Sequence, residues 1–168
     1  KLREVYRKYP DEIYCAWFND GINQERHCAF PIISKKWVET VGYCFAPRGM
    51  FEFGYNDTWV FDLAKRTGRT HYIGDVMAEH NHFSNNKAKY DETYAKQREG
   101  TSKYTIDGEK FGKTQNQRLL DANKLKGEMF GWEIKERSSL VNNWSLATQN
   151  QRLLDANKLK GEMFGNER

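Results

Sequence analysis

Residues 53–83, FGYNDTWVFDLAKRTGRTHYIGDVMAEHNHF, decide the fold class, because within one stretch the apolar spacing changes from helical to extended. Asp57 is placed to cap a helix whose apolar positions are Trp59, Val60, Leu63 and Ala64, with Gly68 at its end. Tyr72 and Ile73, and then Val76 to Phe83, read as extended chain. Upstream the same alternation recurs. Ser34 is a second N-cap, for a helix carrying Trp37, Val38 and Val41 and ended by Gly42. Ile13 to Phe18 is a short β-rich run that stops at the turn signal Asn19-Asp20-Gly21, and Ala29 to Ile33 is another. Lys1 to Lys8 fits the end of a helix closed by Pro10. The fold class predicted is α/β: the strands near Ile13 to Phe18, Ala29 to Ile33 and Val76 to Phe83 share a sheet, and the helices from Ser34 and Asp57 pack on it.

Downstream the sequence changes character. Thr114 to Gly131 reads TQNQRLLDANKLKGEMFG, and Thr148 to Gly165 repeats all eighteen positions at an offset of 34. Leu119, Ala122, Leu125 and Met129, like Leu153, Ala156, Leu159 and Met163, fall on one helical stripe, with Gly127 and Gly161 placed to end each helix. Two copies without an aromatic signature do not make a solenoid. The organisation expected is a first domain over 1–99, a glycine-containing polar linker over 100–113, and a short α-helical tail over 114–168 that carries no chemistry.

Composition narrows the function classes. The chain has 168 residues, 14% of them aromatic and 30% charged, which suits one domain with an appendage and excludes wholesale disorder. No apolar stretch approaches the ~20 residues of a membrane-spanning helix. The net charge of +4 is confined to residues 85–168 and is too weak for a nucleic-acid partner. Three cysteines, Cys15, Cys28 and Cys44, without C-x-x-C spacing indicate neither a disulfide framework nor a cysteine zinc site, so a cytoplasmic setting is expected.

Two groups of residues are able to carry chemistry. Asp57 has a structural reason to exist as a helix cap, yet a strand-to-helix turn also exposes a carboxylate where α/β sheets bind ligands. His80 and His82 would share one face of a strand, with Glu79 on the other, and two imidazoles on one face suit a metal or a phosphate. His27 and His71 show no spacing that completes such a set.

The order of Asn19-Asp20-Gly21, Phe30-Pro31-Ile32-Ile33-Ser34 with Trp37, Gly42-Tyr43, Gly54 to Trp59 with Asp62-Leu63-Ala64 and Gly68, Asp75-Val76, Glu79 to His82, and Asp91 to Tyr94 resembles the C-terminal half of a GT-A-type, family 2-like glycosyltransferase over residues 1–95. That resemblance implies a partial Rossmann-like nucleotide-sugar transferase sheet, with Asp57 as the acceptor-side base. It implies His80, or alternatively His82, as ligand of a divalent Mn or Mg, and Trp59, Asn56, Asn19 and Asp20 as substrate contacts. The implied partners are a nucleotide-sugar donor and an acceptor hydroxyl, and no membrane. The family's D-x-D motif occurs nowhere in these residues, so the expectation is a truncated enzyme with the acceptor side alone. Two other readings compete. One is a non-catalytic module that binds protein or nucleic acid through its aromatic half and basic tail. The other is a metal-dependent hydrolase built on Asp57, Asp75, His80 and His82.

Overall fold

The computed structural model describes residues 1–96 and 103–131. Its centre is the strand β1 (Cys15–Asn19), which lies between β2 (Ile32–Ile33) and β3 (Thr70–Met77) in a three-stranded sheet. β1 pairs antiparallel with β2, Cys15 opposite Ile33, and parallel with β3, Cys15 opposite Thr70 and Phe18 opposite Ile73. A parallel pair needs a long crossover. Here the crossover holds α2 (Lys35–Val41) and α3 (Asn56–Thr67), and α1 (Leu2–Lys8) precedes the sheet.

Alternation along β1 divides the core in two. Ala16 belongs with Val5 and Tyr9 of the N-terminal segment and with Ile73 of β3. Cys15 and Trp17 face the other way, into a cluster with Trp37 and Val41 of α2 and with Trp59, Val60, Phe61, Leu63 and Ala64 of α3. Because both faces of β1 are covered, Cys15, Ala16 and Trp17 are all buried. The mixed α/β class with a small sheet and packed helices therefore agrees with the sequence pattern.

Helix α2 starts and stops where its sequence says. The Ser34 hydroxyl accepts from the Trp37 N–H at 2.9 Å, and Gly42 closes the helix at φ 87°. Replacing that cap, Ser34→Ala, is expected to lower stability by about 1 kcal/mol, measured as a shift in urea midpoint at unchanged slope. No shift would mean that another group caps α2.

Several boundaries differ from expectation. Asp57 does not cap α3; it lies in the first turn, and the N-cap position belongs to Tyr55, held left-handed at φ 67°. β3 ends at Met77, so His80 and His82 sit in the loop beyond the strand rather than on it. The strand expected from Ala29 shrinks to Ile32–Ile33, since Pro31 supplies no N–H to a ladder.

The expected linker is the largest correction. Residues 103–113 form α5 (Lys103–Lys113), after the short α4 (Glu92–Lys96), and α6 (Gln115–Phe130) follows directly. Lys1 to Gly131 lie in one compact unit, with Ala122 and Leu125 of α6 inside the main core. The first repeat copy is thus helical, as expected, but it continues through Gly127 to a C-cap at Gly131. Leu119 is exposed, and Arg118 and Asp121 take the inward positions beside Ala122 and Leu125. The second copy, Thr148 to Gly165, lies outside the described residues. Among the described residues no helix is long and apolar enough to cross a membrane.

Candidate functional site

The loop from Phe53 to Tyr55 and the first turn of α3 form one wall of an open cavity of about 930 Å³. Asp57 lines it with its neighbour Asn56, and so do His27, His80 and His82. The sequence-predicted carboxylate and both predicted imidazoles therefore share one concave surface. Asp57 is joined by a partner that no spacing revealed: its Oδ2 accepts from His27 Nε2 at 3.0 Å across 30 positions of sequence. Oδ1 accepts from the Thr58 N–H at 2.7 Å. Burial alone would raise the Asp57 carboxyl, but the His27 hydrogen bond and the Thr58 amide outweigh it and hold it below the ordinary value. Asp57 is accordingly ionised at neutral pH, the state a proton acceptor requires.

The opposite wall is the loop after β3. The His80 N–H donates to the Asp20 carbonyl at 3.0 Å, and the Ala78 N–H to the Asn19 carbonyl at 2.8 Å, which ties this loop to the end of β1. Asn85 braces the loop from inside, with its side-chain amide donating to the His80 carbonyl at 2.8 Å. The two imidazoles stand 5.5 Å apart, centroid to centroid. Phe30 lies against His80, and Tyr94 edges His82.

Aromatic side chains complete the cavity. Phe45 and Phe53 are each 41% exposed and Tyr104 52% exposed, so their rings meet solvent at its rim. Tyr104 comes from α5 and reaches Tyr55 at 4.9 Å between centroids. It lies so close to Gly54 that a Cβ there would meet its ring at 2.7 Å.

Three expected substrate contacts are not at the cavity. Trp59 is fully buried and donates its indole N–H to Tyr43 at 3.1 Å; position 59 on α3 turns inward, so it cannot flank an acceptor. Asp20 is 3% exposed, and its carboxylate is spent on the backbone N–H groups of Ile22, Asn23 and Gln24. The Asn19 side chain accepts from the Gly21 N–H in the same turn. Asp20 and Asn19 therefore shape the turn after β1, whose backbone carbonyls anchor the loop that carries His80, without lining the cavity. Asp20 Oδ2 stands 4.0 Å from His80 Nδ1, and that nitrogen is buried without a hydrogen bond.

Among the described residues no group of three or more His, Cys, Asp or Glu side chains is arranged to hold a metal ion. His80 and His82 alone fall short of the metal shell that the resemblance implied. No family model matches the chain, and neither a curated protein nor a solved structure matches it.

Acid sensitivity follows from the same carboxylates. For both Asp20 and Asp107, burial would raise the group, but hydrogen bonds from backbone N–H outweigh it and hold each below the ordinary value. His71 is lowered, mainly by burial and then by Lys8. A group depressed in the folded state stabilises it above its unfolded value and loses that contribution as pH falls. Urea midpoints should therefore decline first near pH ~6.5 through His71 and steeply below pH ~4 through the aspartates. Stability that rises on acidification would contradict these assignments.

Proposed function

We propose that this chain is the acceptor side of a glycosyltransferase, in which Asp57 removes a proton from an acceptor hydroxyl while a sugar leaves a nucleotide diphosphate. The observation that carries the proposal is the ionised Asp57 carboxylate, set in a cavity of about 930 Å³ among partly exposed aromatic rings. A sugar ring offers apolar C–H faces and polar hydroxyl edges. Phe45, Phe53 and Tyr104 suit the first, while Asn56, His80 and His82 suit the second.

In the transfer, the acceptor oxygen forms a bond to the anomeric carbon as the bond from that carbon to the phosphate oxygen breaks. The acceptor proton passes to Asp57, and the negative charge leaves with the nucleotide diphosphate. His27 holds Asp57 in one orientation and stabilises its anionic form before the reaction. Since that hydrogen bond occupies Oδ2, the acceptor approaches the remaining lone pairs of the carboxylate.

Binding can be tested on the chain as it stands. Soluble oligosaccharides added to the full chain are expected to shift the imidazole resonances of His27, His80 and His82, and Tyr104→Ala should weaken those shifts several-fold. Oligonucleotides that shift the same resonances, with saccharides silent, would replace this proposal by the binding-module reading.

A further inference from the structure

Cys15 and Cys28 are separated by 13 positions, so no short motif joins them, yet the fold sets their sulfurs 3.7 Å apart. Both side chains are fully buried in the main core, whereas Cys44 is exposed. The hydrogen bond with Cys15, and then burial, push the Cys28 thiol up, so it stays protonated in the folded core. A disulfide holds its sulfurs about 2.05 Å apart, which asks for a closure of roughly 1.7 Å.

The two sides are not equally free to move. Cys15 lies in the central strand, with its N–H donating to the Arg69 carbonyl at 2.8 Å and with Ile33 and Thr70 opposite it. Cys28 lies in neither helix nor strand. Its segment is fixed upstream, where the Trp17 indole N–H donates to the Gln24 carbonyl at 2.8 Å, and downstream by the pairing of β2, so closure falls on residues 27–31. His27 has extended backbone, φ −153° and ψ 141°, which sends adjacent side chains in opposite directions: His27 toward Asp57 and Cys28 toward Cys15. Drawing Cys28 toward β1 therefore withdraws His27 from Asp57. A bond now 3.0 Å long is lost on a withdrawal of about 1 Å.

We infer that Cys15 and Cys28 are a redox site: a small-molecule disulfide oxidises them to an internal disulfide, and the closure releases Asp57 from His27. One cysteine, as its thiolate, attacks a sulfur of the reagent; the reagent's S–S bond breaks, a mixed disulfide forms, and one reagent thiol leaves with the proton that the cysteine gave up. The other cysteine then attacks the cysteine sulfur of the mixed disulfide and displaces the second reagent thiol. The cysteines lose two electrons and two protons, and the reagent is reduced to two thiols. Since both side chains are buried, the first attack takes place as residues 27–31 open locally, and the second as they close. The product is uncharged and stays among apolar side chains. The His27–Asp57 bond exists whatever Asp57 acts upon, so this redox site does not depend on sugar transfer.

The test uses the full chain carrying Cys44→Ser in buffers of oxidised and reduced glutathione, with equilibrium approached both from the folded chain and by refolding from urea. Intact mass and peptide mapping should show Cys15 joined to Cys28 with no glutathione retained. The ratio of internal disulfide to reduced chain should be about 10- to 10²-fold higher in the folded chain than in urea, because the fold supplies the proximity. In the oxidised chain the Asp57 carboxyl carbon should titrate at higher pH, since the His27 hydrogen bond no longer offsets burial. The disulfide carries no charge, and the other titratable groups at the cavity, Tyr55, His80, His82, Tyr94 and Tyr104, are common to both forms. Dithiothreitol should restore the original titration, a control that needs no further substitution. A folded chain that keeps both thiols, one that takes up glutathione without joining them, or a ratio no higher than in urea would reduce the pair to core packing and overturn the site. An internal disulfide that leaves Asp57 titrating as before would overturn the release of His27.

Discussion

Asp107→Ala is expected to destabilise the chain by about 3 kcal/mol or more, a larger effect than any surface substitution. The Asp107 side chain is fully buried under the loop that leads into α3, where Oδ2 accepts from the backbone N–H groups of Glu52, Phe53 and Gly54 at 3.1, 2.7 and 2.9 Å. Each buried donor left without a partner costs about 1–3 kcal/mol. Alanine supplies no acceptor and leaves all three unpaired. The loop also presents Phe53 and Tyr55 to the cavity, so its loosening should reach the site. Urea denaturation gives the stability, and proteolysis within residues 50–55 reports the loop. Asp107→Asn keeps one carbonyl acceptor and should recover part of the loss. Native stability in Asp107→Ala would mean that α5 is dispensable to the fold.

That prediction concerns a segment whose sequence reads as a linker, and the reason is physical. Gly108 and Gly112 weaken a helix, and a lone aspartate among polar residues looks like solvent-facing chain. Once Asp107 finds three backbone donors, tertiary hydrogen bonds offset the poor helix propensity. Gly108 is then needed, since a Cβ there would meet the Tyr55 hydroxyl at 2.9 Å. Features fixed within a few residues were legible: the Ser34 cap, the Gly42 and Gly68 stops, and the β-rich run that becomes β1. Features that depend on what lies opposite were not. Leu119 belongs to an apolar stripe by spacing, yet the groove presents Asp62 and Tyr43, so Arg118 and Asp121 enter and Leu119 is turned out.

The candidate site divides along the same line. Asp57 stood out in the sequence as a carboxylate at a strand-to-helix turn, and the resemblance added its neighbour Asn56; both line the cavity. His27 was invisible: it reaches Asp57 only because the chain between β1 and β2 passes over the start of α3, a fact of topology. Trp59 was misread for a related reason. Adjacent residues on a helix point about 100° apart, so a position two beyond a cavity-lining carboxylate faces the core. The expected Asp57 cap failed because the left-handed Tyr55, packed 5.3 Å from Phe111 and 4.9 Å from Tyr104, starts the helix two residues earlier.

Asp57→Asn, made in a chain joined to a donor-binding half, is expected to reduce sugar transfer by about 10²- to 10⁴-fold, the usual contribution of a positioned base. The amide is nearly the same size, its carbonyl oxygen can still accept from the Thr58 N–H, and its NH2 can donate to His27 Nε2 in the tautomer that leaves this nitrogen unprotonated, so the cavity and the fold should persist. What it loses is the capacity to take a proton. The loss should therefore fall on kcat, with acceptor KM and nucleotide affinity nearly unchanged. His27→Gln separates the neighbouring role. It removes the imidazole that favours the anion, so the acid limb of the rate profile should move to higher pH while most activity at high pH survives. Equal losses at every pH for His27→Gln would make His27 itself the proton acceptor. Full transfer in Asp57→Asn would remove Asp57 from the chemistry and leave the cavity as a binding site alone.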